Sequence, residues 1–389
     1  MDNSLRARLF SSGKQTPYYF YDLELLQNTL SQAKEQADKR GFHVHYALKA
    51  NCNERVLTKI QREGFGADCV SGNEVLKALD KGFPASKITF AGVGKSDHEI
   101  QIALKNNIFA FNVESAQELE VIAHWAKAAN RVARISLRIN PNVDAKTHKY
   151  ITTGLDDNKF GLPAIEIDKA VETLRANKHL EFIGLHFHVG SQITDLEVFK
   201  NLALKANQWR AWFEDQGLVV KVLNMGGGLG VSYEDPDANP VVDFQEYFSI
   251  FEKYLERPNR QEVHFELGRS MVAQCGSLVT KVLYVKDNGT RKFVIVDAGM
   301  TELLRPALYQ AYHKIEKLQS NQEEMRLKYD VVGPICESSD SFGEQVELGE
   351  VGRGDLLVIR SAGAYGEVMA SNYNLREELR FVYNDTIES

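Results

Sequence analysis

Cysteine is scarce in this sequence. Its 389 residues include 4, at Cys52, Cys69, Cys275 and Cys336. None forms a C-x-x-C pair, so neither a zinc site nor a disulfide framework is expected, and no metal is assigned. No apolar run approaches the roughly 20 residues that cross a bilayer. The opening Met1-Asp2-Asn3-Ser4 is nothing like a secretory leader, so no membrane partner is expected. A basic block is missing too. Lys and Arg number 46 against 53 Asp and Glu, a formal charge of −7, which argues against nucleic acid as a partner. There is no low-complexity linker and no internal repeat beyond the alternation described below. These absences point to a reducing, cytoplasmic setting.

What is present is core material. The chain is 43% hydrophobic and 25% charged, too apolar for a disordered polypeptide. It is too long for one ordinary domain of roughly 100–200 residues, but one large barrel with a smaller partner would fit.

Short apolar stretches alternate with longer segments of helical period. Strands are expected at 43–49, 65–71, 87–92, 109–115, 133–140, 181–190, 219–227 and 263–267. Helices are expected at 53–63, 73–81, 97–106, 115–129, 165–176, 195–215 and 244–256, with Ser115 or Asp97 as caps. Eight strands in roughly 230 residues suit an α/β fold of (β/α)8 TIM-barrel type. A doubly wound open sheet is the alternative, because strand order is not written in the sequence. We place the barrel at 28–270 and a β-rich domain at 1–27 and 271–389. In the latter, strands are expected at 279–285, 292–297, 329–336 and 355–361, with a helical insertion near 306–318. The strand-like 16–22 could join that sheet.

Catalytic groups in such barrels come from the C-terminal ends of strands. Those ends carry Lys49, Asp68 with Ser71, Gly92, Asn112 with Glu114, Arg138 with Asn140, His186 with His188, Gly226-Gly227-Gly228, and Glu266. Lys49 reads as a snorkelling lysine or as a desolvated amine able to form a Schiff base. The glycine run reads as a tight turn or as a phosphate cradle after strand seven. GVGKS at 92–96 is rejected as a Walker motif, since Thr89 stands where glycine is needed. His186 and His188 share a strand face, so they read as a metal pair, or as a wall residue beside a ring that stacks on a planar cofactor. His43 and His45 form a second pair, a pattern also seen in metal-dependent barrel hydrolases. His45 lies about 13 Å before Lys49 along the strand, at the wrong end for catalysis, and the pair reads as structural. Glu266 reads as an ion-pair partner of Arg138 or as a carboxylate at a pyridine nitrogen.

Taken together, YALKAN, HFHVGSQ, the glycine run, FELGRS, LLRPALYQAYH, CESSD and GAYG resemble the alanine-racemase-fold (fold type III) pyridoxal-phosphate decarboxylases over essentially the whole chain. The resemblance implies a pyridoxal 5'-phosphate cofactor, an amino-acid substrate, and a homodimer with active sites shared between subunits. It implies that Lys49 anchors the cofactor and that His188 stacks on its ring. Ser191, Gly227, Gly228 and the segment from Glu266 through Gly268 to Arg269 would hold the phosphate, with Glu266 also at the ring nitrogen. Asp68 and Arg138 would lie beside lysine and ring. Arg269, Arg305 and Tyr309 would grip substrate carboxylates, and Tyr365 would touch both cofactor and substrate. Cys336 would donate a proton across the dimer interface, and Glu337 would bind a distal amine. Because RPALY supplies a grip for a second carboxylate, a diamino diacid is favoured over ornithine or arginine, with carboxynorspermidine a further alternative substrate. A non-catalytic regulatory homologue would have little need of these groups together. Two departures stand out: the family's EPGR is ELGR, with Leu267, and its CESGD is CESSD, with Ser339.

Overall fold

A computed structural model describes residues 1, 3–141, 143, 159–319 and 325–387. Its contacts divide into two compact units. One comprises Leu30–Gly230 with Asp243–Gly268; the other comprises Met1–Thr29, Val231–Val242 and Arg269–Ser389. Residues 231–242 thus leave the barrel unit, a detour that sequence pattern did not mark.

After β1 (Tyr18–Tyr21), which belongs to the second unit, come the barrel strands. They are β2 (Phe42–Ala47), β3 (Gly66–Cys69), β4 (Ile88–Phe90), β5 (Ala110–Val113), β6 (Ala133–Arg138), β7 (Leu180–His186), β8 (Val222–Asn224) and β9 (Glu262–Leu267). They close in sequence order, with β9 pairing parallel to β2. Closure decides against the open sheet. Outward residues such as Tyr46, Ala67, Leu137, Leu185 and Phe265 are buried under the helices, as a parallel sheet covered on its faces requires. Phe265 packs against Phe42, Phe248 and Phe251 at ring-centroid distances of 4.9–5.3 Å.

Side-chain caps start several helices where the strand-to-helix loops end. Asn53, Ser71 and Ser115 accept from the backbone N–H groups of Arg55, Glu74 and Glu118. Before the helix Asp97–Asn106 the cap is Ser96, in a reciprocal box with Glu99. Asp97 is the first helical residue rather than the cap, since it is the Ser96 hydroxyl that meets the Glu99 N–H.

The second unit is a mixed sheet. After β1 it contains β10 (Gly276–Asp287), β11 (Lys292–Val296), β12 (Ile315–Lys317), β13 (Leu327–Val332), β14 (Ser341–Leu348), β15 (Leu356–Ile359) and β16 (Phe381–Tyr383). The main order is β12-β15-β10-β11-β13-β14, with β1 antiparallel to β10 and parallel to β16. The 16–22 stretch therefore joins this sheet as expected. Tyr18 and Phe20 seal a core with Leu5, Leu9, Val279 and Val358. The expected helical insertion is shorter. Arg305–Tyr309 is helical, Gln310 turns left-handed at φ 53, and Ile315 then pairs with Ile359 in β12. A left-handed residue ends a helix whatever the periodicity beyond it.

Candidate active site

The barrel floor is built from inward residues at alternate positions, so Asn112, Asn224 and Glu266 come from different strands onto one face. Glu266, buried at the end of β9, accepts from Asn112 Nδ2 at 2.9 Å, Asn224 Nδ2 at 2.7 Å and His186 Nε2 at 2.9 Å. Burial alone would raise its carboxyl. The His186 imidazole and its hydrogen bond, followed by Lys49, instead hold it well below the usual range. A carboxylate offers about four acceptor sites, so three donors leave room for one more.

Lys49 lies just beyond β2, on the turn Leu48–Ala50 rather than in the strand itself. Its Nζ stands 3.6 Å from Asp68 Oδ2, and its side chain is 39% exposed while that of Asp68 is 1% exposed. Both Asp68 oxygens lack a hydrogen-bond donor among the described residues. Burial and the charge of Glu266 push Asp68 well above the usual carboxyl range, with Lys49 opposing. Arg138, which the resemblance sets beside the ring, has a carboxylate partner of its own. Its Nη1 donates to Glu114 Oε1 at 2.9 Å. Glu114 further accepts from the Gly92 and Gly161 N–H groups at 3.0 and 3.1 Å. An ion pair between Glu266 and Arg138 is therefore not what the fold uses.

His188 falls in the loop after β7, not on the strand with His186. It is half-buried, and its Nδ1 accepts the Gly227 N–H at 3.2 Å. That bond leaves the ring proton on Nε2. Burial first, then Arg138 and Lys49, push its pKa well down, so the imidazole is neutral. The histidine pair thus divides into a wall residue on the strand, bonded to Glu266, and a second ring in the loop after it. Half-buried Ser191 shares this loop, which Ile193 N–H ties to the Gly228 carbonyl at 2.9 Å.

The glycine run is demanded by close backbone approach. A Cβ at Gly226 would fall 2.2 Å from the Phe187 carbonyl oxygen, and one at Gly227 2.0 Å from that of Glu266. Gly226 and Gly228 also take φ of 67 and 110. Only glycine lets β8 end this close to its neighbours, which leaves a loop able to bring backbone to a phosphate. Leu267, replacing the family's proline, pairs with Tyr46 and is fully buried in the barrel wall.

In the second unit two buried guanidinium groups meet neutral partners. Arg269 Nη1 donates to the Tyr233 hydroxyl at 2.6 Å, and its guanidinium lies 4.8 Å from the Tyr365 ring. Arg269 Nε has no acceptor among the described residues. Arg305 lies 4.8 Å over Tyr233 and donates to His313 Nε2 at 2.8 Å. His313 Nδ1 donates to the Arg360 carbonyl oxygen at 2.8 Å, which frees Nε2 to accept. Burial and then Arg305 push this imidazole down to about 3. Half-buried Tyr309 sits one helical turn from Arg305. Cys336 and Glu337 are exposed and lie on a separate turn. There Glu337 accepts from the Tyr373 hydroxyl at 2.7 Å, and buried Asp340 receives the Ile335 and Met300 N–H groups at 2.7 and 2.6 Å. Ser339 is not among the left-handed residues, so a glycine is not needed at that point.

Sequence reasoning missed several supporting groups. Asn224 and Tyr233 stood out in no motif, and His313 closes LLRPALYQAYH without a role there, although Asn224 and Glu266 sit at inward strand positions that parity could have marked. Lys95, from the rejected GVGKS, is structural. It is buried against Glu118 at 2.6 Å and donates to the Gly92 and Asn112 carbonyls.

The residues suit a phosphorylated pyridine aldehyde. An amine stands beside orphaned carboxylate oxygens, an ionised carboxylate keeps one acceptor site, a neutral imidazole is half-open, and a glycine loop lies next to it. With a (β/α)8 barrel, these are the parts of a pyridoxal-dependent decarboxylase. The family described as "Pyridoxal-dependent decarboxylase, pyridoxal binding domain" matches residues 23–273. The diaminopimelate decarboxylase of Bacteroides thetaiotaomicron is 53% identical over 93% of this chain and 94% of its own length. The crystal structure of diaminopimelate decarboxylase from Helicobacter pylori complexed with L-lysine superposes with a TM-score of 0.90 at 41% identity, covering 98% of this chain and 95% of that one. The arginine decarboxylase of Paramecium bursaria Chlorella virus, 22% identical with a TM-score of 0.86 over 98% of this chain and all of its own, shares the fold. The chain belongs to the diaminopimelate decarboxylase family.

Proposed function

We propose that the protein decarboxylates meso-2,6-diaminopimelate to L-lysine and CO2 at the D-configured carbon, using pyridoxal 5'-phosphate. The observation that carries the substrate choice is the Arg269–Arg305 cluster, whose described partners are the neutral Tyr233 and His313. Buried guanidinium groups favour a carboxylate strongly. Lysine, ornithine and arginine have no second carboxylate to offer.

When bound, the cofactor supplies an electron sink for the carbanion left by loss of CO2. The chain does the rest. Lys49 would hold the cofactor through its Nζ, with Asp68 as its counter-charge and Arg138 beside it. His188 would lie against the ring. Ser191, Gly227, Gly228, Gly268 and Arg269 would bind phosphate, while Glu266 would hold a proton at the ring nitrogen. Arg305, Tyr309 and Tyr365 orient the substrate. Cys336 delivers a proton from Sγ to the α-carbon, and Glu337 pairs with the distal ammonium. Since Cys336 and Glu337 are exposed on their own subunit, we assign them to the neighbouring subunit's site, which makes the working enzyme a homodimer. A proton-donating thiol must stay reduced, which suits the cytoplasm.

Parallel CO2-release assays with meso-diaminopimelate, L-ornithine, L-arginine and L-lysine test this. Release from the diacid alone is expected, and preference for ornithine or arginine would overturn it. Arg305→Leu should raise KM for the diacid by about 100-fold while leaving the visible cofactor absorbance in place.

A further inference from the structure

The N-terminal rim of the barrel carries a side-chain cluster that decarboxylation does not use. β2 and β9 are the first and last barrel strands, and their pairing closes it, with His43 opposite His264 and His45 opposite Glu266. Residues two apart on a strand share a face, so His43, His45, Glu262 and His264 converge. The His43 and His264 rings are 4.7 Å apart, and Phe109 stacks on His264 at 5.1 Å. The ligand atoms of His43, Glu262 and His264 all lie within 4.8 Å of one another.

Hydrogen bonding decides which ring nitrogens are bare. His45 Nδ1 lies 3.0 Å from the Lys87 carbonyl oxygen. A carbonyl can only accept, so this nitrogen carries the proton. His45 is buried, and its other partner is an imidazole, so neither contact would balance a second proton. Its Nε2 therefore accepts, and His264 Nδ1, at 2.8 Å, donates. A neutral His264 is left with a lone pair on Nε2, and that lone pair faces Glu262 Oε2 at 3.2 Å. Two acceptors at this distance need a cation between them. A proton would be the smallest one. The exposed His43 imidazole beside them supplies a third donor and suits a larger ion.

The surroundings are compatible with an ion. The Lys87 ammonium donates to the Gly64 carbonyl at 2.9 Å, and its charge and that of Lys34 also reach His43, which favours the neutral, ligating form of that imidazole. A cleft of about 470 Å³ includes His43, Glu262 and His264 in its lining. The chain from carbonyl to His45 to His264 is the kind of outer support that fixes the tautomer of a metal-bound imidazole.

We propose that His43, Glu262 and His264 form a divalent-metal site of the zinc class, which staples β2 to β9 where the barrel closes. Two imidazoles and a carboxylate suit zinc better than magnesium or calcium, whose ligands are oxygens. Small rotations of the exposed His43 and Glu262 side chains bring the three atoms to the roughly 2.0–2.2 Å of such bonds, with water in the open position. The ion strengthens the fold rather than the reaction, because this rim is at the opposite strand end from Lys49.

The test uses the cofactor-loaded enzyme, stripped with chelator and then dialysed against ZnCl2. Bound metal and the unfolding midpoint are compared with those of a His43→Gln/Glu262→Gln variant, whose visible cofactor absorbance reports that it is folded. The native enzyme should retain about one more equivalent of zinc than the variant. Its midpoint should rise by about 3 °C or more with zinc and not with magnesium, and the variant should lose that shift. Should the double variant fail to fold, His43→Gln alone should bind zinc at least tenfold more weakly. Equal retention by native and substituted enzymes would place the metal elsewhere, for example on the exposed Cys336 thiol, and overturn the site. Absence of both retention and shift would mean that a proton fills the gap, and would overturn it equally.

Discussion

Two carboxylates end neighbouring regions of one barrel, and their surroundings push them in opposite directions. Glu266 closes β9 and is held well below the ordinary range; Asp68, near the end of β3, is pushed well above it. Burial raises both. The difference lies in neighbours: His186, by its charge and hydrogen bond, lowers Glu266, on which two asparagine N–H groups also converge, whereas Asp68 has no donor among the described residues and feels the charge of Glu266, with Lys49 at 3.6 Å opposing. Desolvation is therefore not enough to set a buried carboxyl; the charges and donors brought to it decide the sign. Glu266 takes three donors from the chain and keeps one acceptor site, while neither oxygen of Asp68 has a donor among the described residues.

Lys49→Ala breaks this comparison most severely. CO2 release should fall on the order of 10⁴-fold or more, and the visible absorbance of bound cofactor should vanish. Retained release would falsify Lys49 as the anchor. Next in size, Glu266→Ala leaves Asn112, Asn224 and His186 donating to nothing. It should lower unfolding free energy by about 3–5 kcal/mol in urea titrations. A loss below about 1 kcal/mol would mean that the three donors do not depend on the carboxylate.

Asp68→Asn should act with the opposite sign. In cofactor-free protein at neutral pH it should leave stability unchanged or raise it by about 1 kcal/mol, since a charge that burial resists is removed. A large loss would contradict the raised carboxyl. Titration sharpens the contrast further. A depressed carboxyl stabilises fully above its unfolded value near 4.3 and loses that contribution as pH falls below it. A raised carboxyl imposes no cost below about 3.9 and an increasing one as pH climbs through its folded value. The stability gap between native protein and Glu266→Gln should hence shrink toward acid pH. The gap in favour of Asp68→Asn should grow toward neutral pH.

Much of this was legible in advance. Apolar stretches alternating with helical segments marked all eight barrel strands, because a strand covered on both faces must be apolar. Lys49, His188 and Glu266 stood out as polar groups where such strands end. The insertion after Arg305 was misjudged because its periodicity continues past Gln310, whose left-handed backbone stops the helix. β14 went unseen, since much of its length is exposed and reads as polar loop. Asn112 was noted only for its position, and Asn224 not at all, because an asparagine on a strand carries no sign of its partner.

The sequence by itself determined the number and order of the βα units, the residue types at their ends and the decarboxylase motifs, since these depend on local pattern. Only the tertiary structure decided the state of each group. The donors that meet Glu266 come from 154, 80 and 42 residues away along the chain, and it is barrel closure that brings them within hydrogen-bond distance. The same closure sets His43 against His264, across a seam that joins the first strand to the last.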